Sequence, residues 1–346
     1  MPRVTSAAPP AARTELRELW RFDALDYVVA TVVSPRGETC LVGTGDGAVA
    51  SVDLATGRER FHIRAHDRGV IGITFAPDGR RFVTGGQEGV AKLWSETGEL
   101  VRELPGGASW VEHVAWSPTG DRIATASGKK VRFWTPEGDP IVETEPLPST
   151  VGGLAWRHDG GALAAAAYGG VHIFPFAPGV KSRSYRFKGS LVSIVWSPDG
   201  KVIACGSQDA SVHFWRIDTG LDSQMSGYPF KPRELSFDAE SKLLATAGDS
   251  KVTLWDFRGK GPEGTHPIQL DAHKGLVSAL AFSPRKGVLA SGSEDTSVLL
   301  WQPRASTSPM RFAFLSDVVT QLAWDASHRV LVGGDASGRV VGWDVS

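Results

Sequence analysis

Along the chain, short runs of apolar and β-branched residues alternate with tight clusters of Pro, Asp, Gly and Ser, and the alternation repeats. Eight times an apolar run enters a polar turn: VVSPRG ending at Gly37, FAPDG at Gly79, WSPTG at Gly120, WRHDG at Gly160, WSPDG at Gly200, FDAES at Ser241, FSPRKG at Gly287 and WDASH at His328. Each turn is followed by a run of small residues, a second turn containing Gly or Asp, and a run that closes on an apolar, mostly aromatic, side chain. The closing residues are Val52, Trp94, Trp134, Phe174, Trp215, Trp255, Trp301 and Trp343, separated by 42, 40, 40, 41, 40, 46 and 42 residues. The one long interval holds the insert RGKGPEGTHP at residues 258–267. A near-constant period with exceptions of loop length is what stacked supersecondary units produce.

Within each period the runs are short, rich in small and β-branched residues and bounded by turn formers, as in GKVIACGSQDASVHFW (200–215) and GVLASGSEDTSVLLW (287–301). That pattern predicts strands. No segment of ten or more residues carries a convincing apolar stripe at helical spacing, which disfavours helical repeats of similar length. A fourth, outer strand is predicted at ERFHI near 59, LVREL near 100, IVETE near 141, SYRFK near 184 and MRFAF near 310, with weaker counterparts at 221–227 and 266–270. The last period stops at Ser346 without an outer strand, while ELRELWRF at 15–22 is surplus to the first. Pairing that segment with the last unit satisfies two open edges at once.

The period, the four strands per unit, the His ahead of the first strand and the Trp that closes the third resemble the WD-repeat family over residues 16–346. Literal Trp-Asp pairs stand at Trp255-Asp256 and Trp343-Asp344, with Val52-Asp53 a degenerate copy. The resemblance implies an all-β fold, a closed WD-repeat β-propeller of eight four-stranded blades whose last blade is completed by an N-terminal strand. Seven blades is the alternative, in which unit one or unit four is not a blade. The expected units are 24–63, 64–104, 105–144, 145–187, 188–227, 228–270, 271–314, and 315–346 with 15–22. The resemblance further implies a hydrogen-bonded structural tetrad within a unit. Unit seven carries His273, Ser291, Asp295 and Trp301; unit two carries His66, Thr84, Glu88 and Trp94, with Glu in place of Asp. Asp209 with Trp215, and Asp249 with Trp255, are partial sets lacking the His.

At 346 residues the chain exceeds the size at which a single core usually stops growing, a limit that repeats escape. Its 37 basic and 38 acidic residues nearly cancel, so no bulk field draws a phosphate backbone, and nucleic acid is not an expected partner. Two cysteines, Cys40 and Cys205, are too few for a disulfide framework or a cysteine zinc site. They fall in the second strands of units one and five, on opposite sides of an eightfold ring, and suit a reducing compartment such as the cytoplasm. The first 19 residues lack an apolar run of seven, and no run of 18 apolar residues occurs. Neither a secretory signal nor a membrane span is therefore expected. Residues 1–13, rich in Ala, Pro, Ser and Thr, are expected to be a flexible tail on a single propeller over 14–346, monomeric by itself.

Ser, His and Asp within one unit also fit a hydrolase, since a His oriented by a carboxylate activates a hydroxyl. The same residue types recur at the same place in several units, however, whereas an active site occurs once, so no catalytic residue is assigned. Nine histidines include no pair at a metal-binding spacing, and His113, His172 and His213 fall in separate units. No metal and no cofactor is expected. GTGDG at 43–47 sits in a hairpin and is no phosphate loop. The basic stretch KSRSYRFK at 181–188 falls on an outer strand. There charges protect a solvated edge, and that reading is preferred to a site for an anionic partner.

Function in such a fold resides in loops. The resemblance implies that partners engage the face bearing the loops between the fourth and first strands and between the second and third. Tyr27, Arg68, Trp110, Phe230, Arg233 and Lys274 on that face, with Tyr168 in a neighbouring turn, are the candidate partner-binding residues, because aromatic and Arg side chains dominate binding hot spots. The expected function is a noncatalytic scaffold for another protein or peptide. The alternatives are a propeller hydrolase or lyase at the channel mouth and a small-ligand or metal sensor.

Overall fold

A computed structural model of the chain describes residues 14–259 and 261–346. The tail expected over residues 1–13 lies outside them.

The described residues form eight sheets, antiparallel except for one short parallel pair, and no helix. Blade 2 shows the unit: strands a to d run Val70–Phe75, Arg81–Gly86, Val90–Ser95 and Leu100–Pro105, each paired with the next. Strand b is almost wholly buried and strand d mostly exposed, so the unit is layered from inside to outside. The a–b turn repeats a left-handed residue in all eight blades, at Gly37, Gly79, Gly120, Gly160, Gly200, Ser241, Gly287 and His328, with φ from 59° to 76°. Glycine suits this position because it has no Cβ to clash there. Ser241 and His328 occupy it with side chains, and Ser241 Oγ accepts the amide of Asp199 in the neighbouring blade's turn (2.9 Å).

Blade 4 is a blade, so the count is eight. Its strands b and c form one stretch, Ala162–Pro175, that folds back at Tyr168-Gly169; the amide of Phe176 returns to Gly161 O (3.1 Å). The two weakly predicted outer strands are present but short, at Asp222–Met225 in blade 5 and Ile268–Leu270 in blade 6.

Ring closure follows the expected clasp with one correction. Arg17–Asp23, not the whole of 15–22, pairs antiparallel with Arg339–Asp344 as strand d of blade 8. Thr14 and Glu15 instead pair in parallel with Arg311 and Phe312, adding a short fifth strand to blade 7. Leu16 is the reason for the split. It is buried in the core between blades 7 and 8, so the chain changes sheets there. Trp20 anchors the clasp, buried, with its indole N–H donated to Leu54 O of blade 1 (2.6 Å).

Burial is organised between blades. Eight apolar clusters are found, one for each pair of neighbouring blades, including the pair of blades 8 and 1 that holds Trp20, Val28, Cys40 and Val332. Cys40 and Cys205 are free and fully buried in strands b of blades 1 and 5. Burial pushes the Cys40 thiol up to about 12 and raises that of Cys205 as well.

Candidate functional site

The polar sets named from sequence are built into the blades. In blade 2, Trp94 Nε1–H donates to Thr84 Oγ1 (2.9 Å), Thr84 lies 2.8 Å from His66 Nε2, and His66 Nδ1 meets the carboxylate of Glu88. Those contacts have one consistent polarity, with the imidazole neutral and protonated on Nδ1. Burial lowers the His66 pKa, against the opposing pull of Glu88. Replacing Asp by Glu therefore preserves the tetrad in this blade.

Blade 7 differs in detail. Trp301 donates to Ser291 Oγ (2.7 Å) and Ser291 lies 2.6 Å from His273 Nε2, but His273 Nδ1 bonds Ser297 Oγ (2.7 Å), which in turn donates to Asp295. Asp295 Oδ1 is 3.6 Å from the ring. The His273–Asp295 link of this set is therefore relayed by Ser297, because the shorter Asp side chain stops short of the imidazole. Burial opposes ionisation of Asp295, yet the amides of Lys274 and Ser297 and the Ser297 hydroxyl hold its carboxyl at about 2. Ser291 is fully buried.

Blade 6 has a set that residue identity alone did not reveal. Trp255 donates to Tyr228 Oη (2.7 Å), which lies 2.6 Å from Thr246 Oγ1. Tyr228 replaces the missing His; the signal in the sequence is its position, 18 residues before Thr246, as His66 precedes Thr84 and His273 precedes Ser291.

Of the three histidines placed on separate units, His113 bonds Val151 O in the loop of the next blade (3.2 Å), while His172 bonds Ser184 (3.1 Å) and His213 bonds Asp222 (2.8 Å) within their own blades.

The face formed by the d–a loops and b–c turns is a continuous annulus. Each d–a loop is bonded to its own blade's turn or the preceding one, as in Gly45 N to Tyr27 O (2.9 Å), His66 N to Gly47 O (3.0 Å) and Phe230 N to Gly248 O (3.0 Å). Gly47 shows how close this packing is: a Cβ there would lie 2.1 Å from Arg68 O. All seven candidate residues are exposed on this annulus, with Tyr27, Trp110, Tyr168 and Phe230 between 47% and 56% accessible.

The candidates do not form one cluster. Tyr27 stands beside Gly45, which touches the loop carrying Arg68 and Gly69. Phe230 and Arg233 share a cavity of about 250 Å³ between blades 6 and 7 with Lys231, Glu234, Asp249 and Glu294. Burial drives the Glu234 carboxyl up to about 7, against the pull of Arg233. Lys274 lines a separate cavity of about 480 Å³ with Phe312 and Phe314. Trp110 and Tyr168 stand on blades 3 and 4.

Leu25 was missed. It is 87% exposed in the loop before Tyr27 and sits at φ 69°, a conformation unfavourable for leucine. Its signal in sequence is a large apolar side chain between Ala24 and Asp26 in the loop DALDYV, ahead of the strand that begins at Val28.

No helix among the described residues is long and apolar enough to cross a membrane.

Comparison with known proteins matches these features. The profile described as IFT122 first beta-propeller matches residues 27–266, more than half of the chain, and that of the WD domain, G-beta repeat, matches 264–302. The chain is 25% identical over 332 residues to telomerase protein component 1 of Mus musculus, covering 90% of this chain and 12% of that protein. It is 27% identical over 257 residues to the transcriptional corepressor LEUNIG_HOMOLOG of Arabidopsis thaliana, covering 72% of this chain and 31% of that one. It thus spans less than a third of the length of these relatives. The crystal structure of the computationally designed Ika8 protein superposes with a TM-score of 0.80 at 20% identity, over 96% of this chain and all of that one. Periodicity, eight closed sheets and a profile match over most of its length agree: the chain belongs to the WD-repeat β-propeller family.

Proposed function

We propose that this protein is a noncatalytic scaffold that binds another protein or peptide across the annulus of d–a loops and b–c turns. One observation carries the reading. Four aromatic side chains, Tyr27, Trp110, Tyr168 and Phe230, are about half exposed on loops that backbone hydrogen bonds hold in place. Exposed aromatic and Arg groups on a preorganised frame bind without a large ordering cost. The hydrolase reading loses its nucleophile, because Ser291 is fully buried and already engaged by Trp301 and His273. A relative named as a transcriptional corepressor fits the same class of role. Two buried thiols that form no disulfide with each other suit a reducing compartment, and the cytoplasm is the proposed location.

The test is capture of partners from native lysate with the wild-type protein and with a variant carrying Trp110→Ala, Arg68→Glu and Arg233→Glu, both shown to be folded by circular dichroism. A partner recovered only by the wild type supports the reading. Equal recovery moves the binding face elsewhere, and recovery of nothing favours the enzyme and ligand-sensor alternatives.

A further inference from the structure

The opposite face, formed by a–b turns and c–d loops, carries a cavity of about 220 Å³ between blades 4 and 5. Ile173, Pro175, Val180, Trp196 and Ile217 form its apolar lining, and Arg157, Lys181 and Arg183 its basic edge. Pockets for drug-sized molecules start near 300 Å³, so this one fits a single large side chain. It opens beside strand d of blade 4, Arg183–Ser190, the longest outer strand at eight residues, and that strand has no further partner among the described residues.

The charges here are unbalanced. Lys181, Arg183, Arg186 and Lys188 form no ion pair among the described residues; Arg157 alone has an acid, Asp159 at 2.7 Å. The cavity at the corresponding place between blades 1 and 2 supplies an internal control. It too has basic groups beside buried aromatic rings, but there Arg36 pairs with Glu38 (3.6 Å) and Glu96 (3.1 Å), and Arg60 with Asp53 (2.6 Å). Edge protection accounts for cations on an outer strand. It does not account for an apolar cavity opening beside them. The fold also shows that an outer strand accepts an added one, since Thr14 and Glu15 pair in parallel with Arg311 and Phe312 on blade 7.

We propose that the blade 4–5 groove binds an acidic, extended segment of a partner protein. One apolar side chain of that segment fills the cavity, and carboxylates beside it on the same face meet Lys181 and Arg183. Carboxylates on the segment's other face meet Arg186 and Lys188, which alternate to the far side of the strand. Its backbone adds to the free edge of strand d, the mode by which exposed sheet edges capture peptides. The chain's own residues 1–13 are not this complement, since they contain Arg3 and Arg13 and no acid. The site is independent of the annulus on the other face, so a chain engaging both would hold two partners at once.

The probe is a short fluorescein-labelled peptide of Asp and Glu around one central Phe, followed by fluorescence anisotropy. The wild type is expected to bind it saturably, and Lys181→Glu with Arg183→Glu to weaken it about tenfold through lost attraction and added repulsion. Replacing the peptide's Phe by Ser is expected to weaken binding comparably, and raising salt to about 1 M to reduce it, since the screening length there is about 3 Å. The Trp110→Ala, Arg68→Glu, Arg233→Glu variant is expected to bind as the wild type does, which separates this site from the annulus. The proposal is overturned by absence of saturable binding, by equal binding to the charge-reversed protein, or by loss confined to the annulus variant. It is equally overturned if the peptide without Phe, or a single-stranded oligonucleotide of the same charge, binds as well. Lys181 and Arg183 are solvent-exposed, so their variant is expected to fold, and circular dichroism checks this before binding is read.

Discussion

Tyr228 Oη lies 2.6 Å from Thr246 Oγ1, the place in blade 6 that His66 and His273 occupy in blades 2 and 7. The phenol also receives the indole N–H of Trp255 at 2.7 Å, so one hydroxyl satisfies two buried neighbours. Burial pushes its own pKa up to about 12, which keeps it a donor. Tyr228→Phe leaves the Trp255 N–H without its acceptor and is expected to destabilise the protein by about 1–3 kcal/mol. Tyr228→His is expected to recover part of that loss. Urea unfolding midpoints read both; equal midpoints for wild type and Tyr228→Phe would mean the bonds carry no net stability.

The parts legible in the sequence are those that a local rule enforces. The left-handed a–b turn requires Gly or an equivalent, so WSPTG and FAPDG recur and mark the period. The closing Trp must fill space between blades, so its spacing counts them. What escaped depends on residues brought together from distant strands. Tyr228 hid because its type departs from the family's His, although its offset matches. The change of sheet at Leu16 depends on which core buries that side chain. The exposure of Leu25 follows from its backbone conformation, and the blade 4–5 cavity from Arg157, Arg183 and Trp196 of three separate segments.

His328 holds the repeated left-handed turn position at φ 61° with its ring buried and neither ring nitrogen hydrogen-bonded. A side chain in this region costs roughly 1–2 kcal/mol. His328→Gly is expected to relieve that strain and remove two unpaired nitrogens, at the expense of some packing. A net gain of about 1 kcal/mol is expected, seen as a higher melting temperature. A lower one would show that the buried ring outweighs the strain.

Acidification is expected to weaken the fold. Burial lowers the pKa of His66, His113, His172, His273 and His328 below the ordinary 6.5. As pH falls through about 6.5 the unfolded chain binds protons that the native imidazoles refuse, so stability declines. Glu234, raised to about 7 by burial, has the opposite sign: the fold keeps its proton where the unfolded chain has lost it, and stability falls as pH rises from 4.5 to about 7. Five histidines act in one direction against this single carboxyl, and the net trend is expected to follow them. Melting temperature is expected to drop between about pH 7.5 and about pH 5.5. In Glu234→Gln the drop is expected to be steeper, with the variant's advantage over wild type largest above pH 7. An identical pH profile in the two proteins would show that Glu234 ionises normally.

Closure of the ring rests on packing more than on charge. At one end of the clasp Arg17 pairs with Asp344 from a side chain that is 73% exposed. At the other end Arg339 meets Asp23 (3.1 Å), also near the surface. Such pairs contribute about 0–1 kcal/mol each. Trp20 is instead 5% exposed, packs against Gly342 and bonds Leu54 of blade 1, so it ties blade 8 to blade 1 across the closing seam. Trp20→Ala is expected to cost about 3–5 kcal/mol, while Arg17→Ala is expected to leave stability nearly unchanged. Hydrogen exchange locates the effect: in Trp20→Ala the amides of Arg17–Asp23 and Arg339–Asp344 should lose protection before those of blades 3 to 6. If Arg17→Ala destabilises as much as Trp20→Ala, or if exchange rises evenly around the ring, the clasp is not the Trp20-anchored element described by its burial.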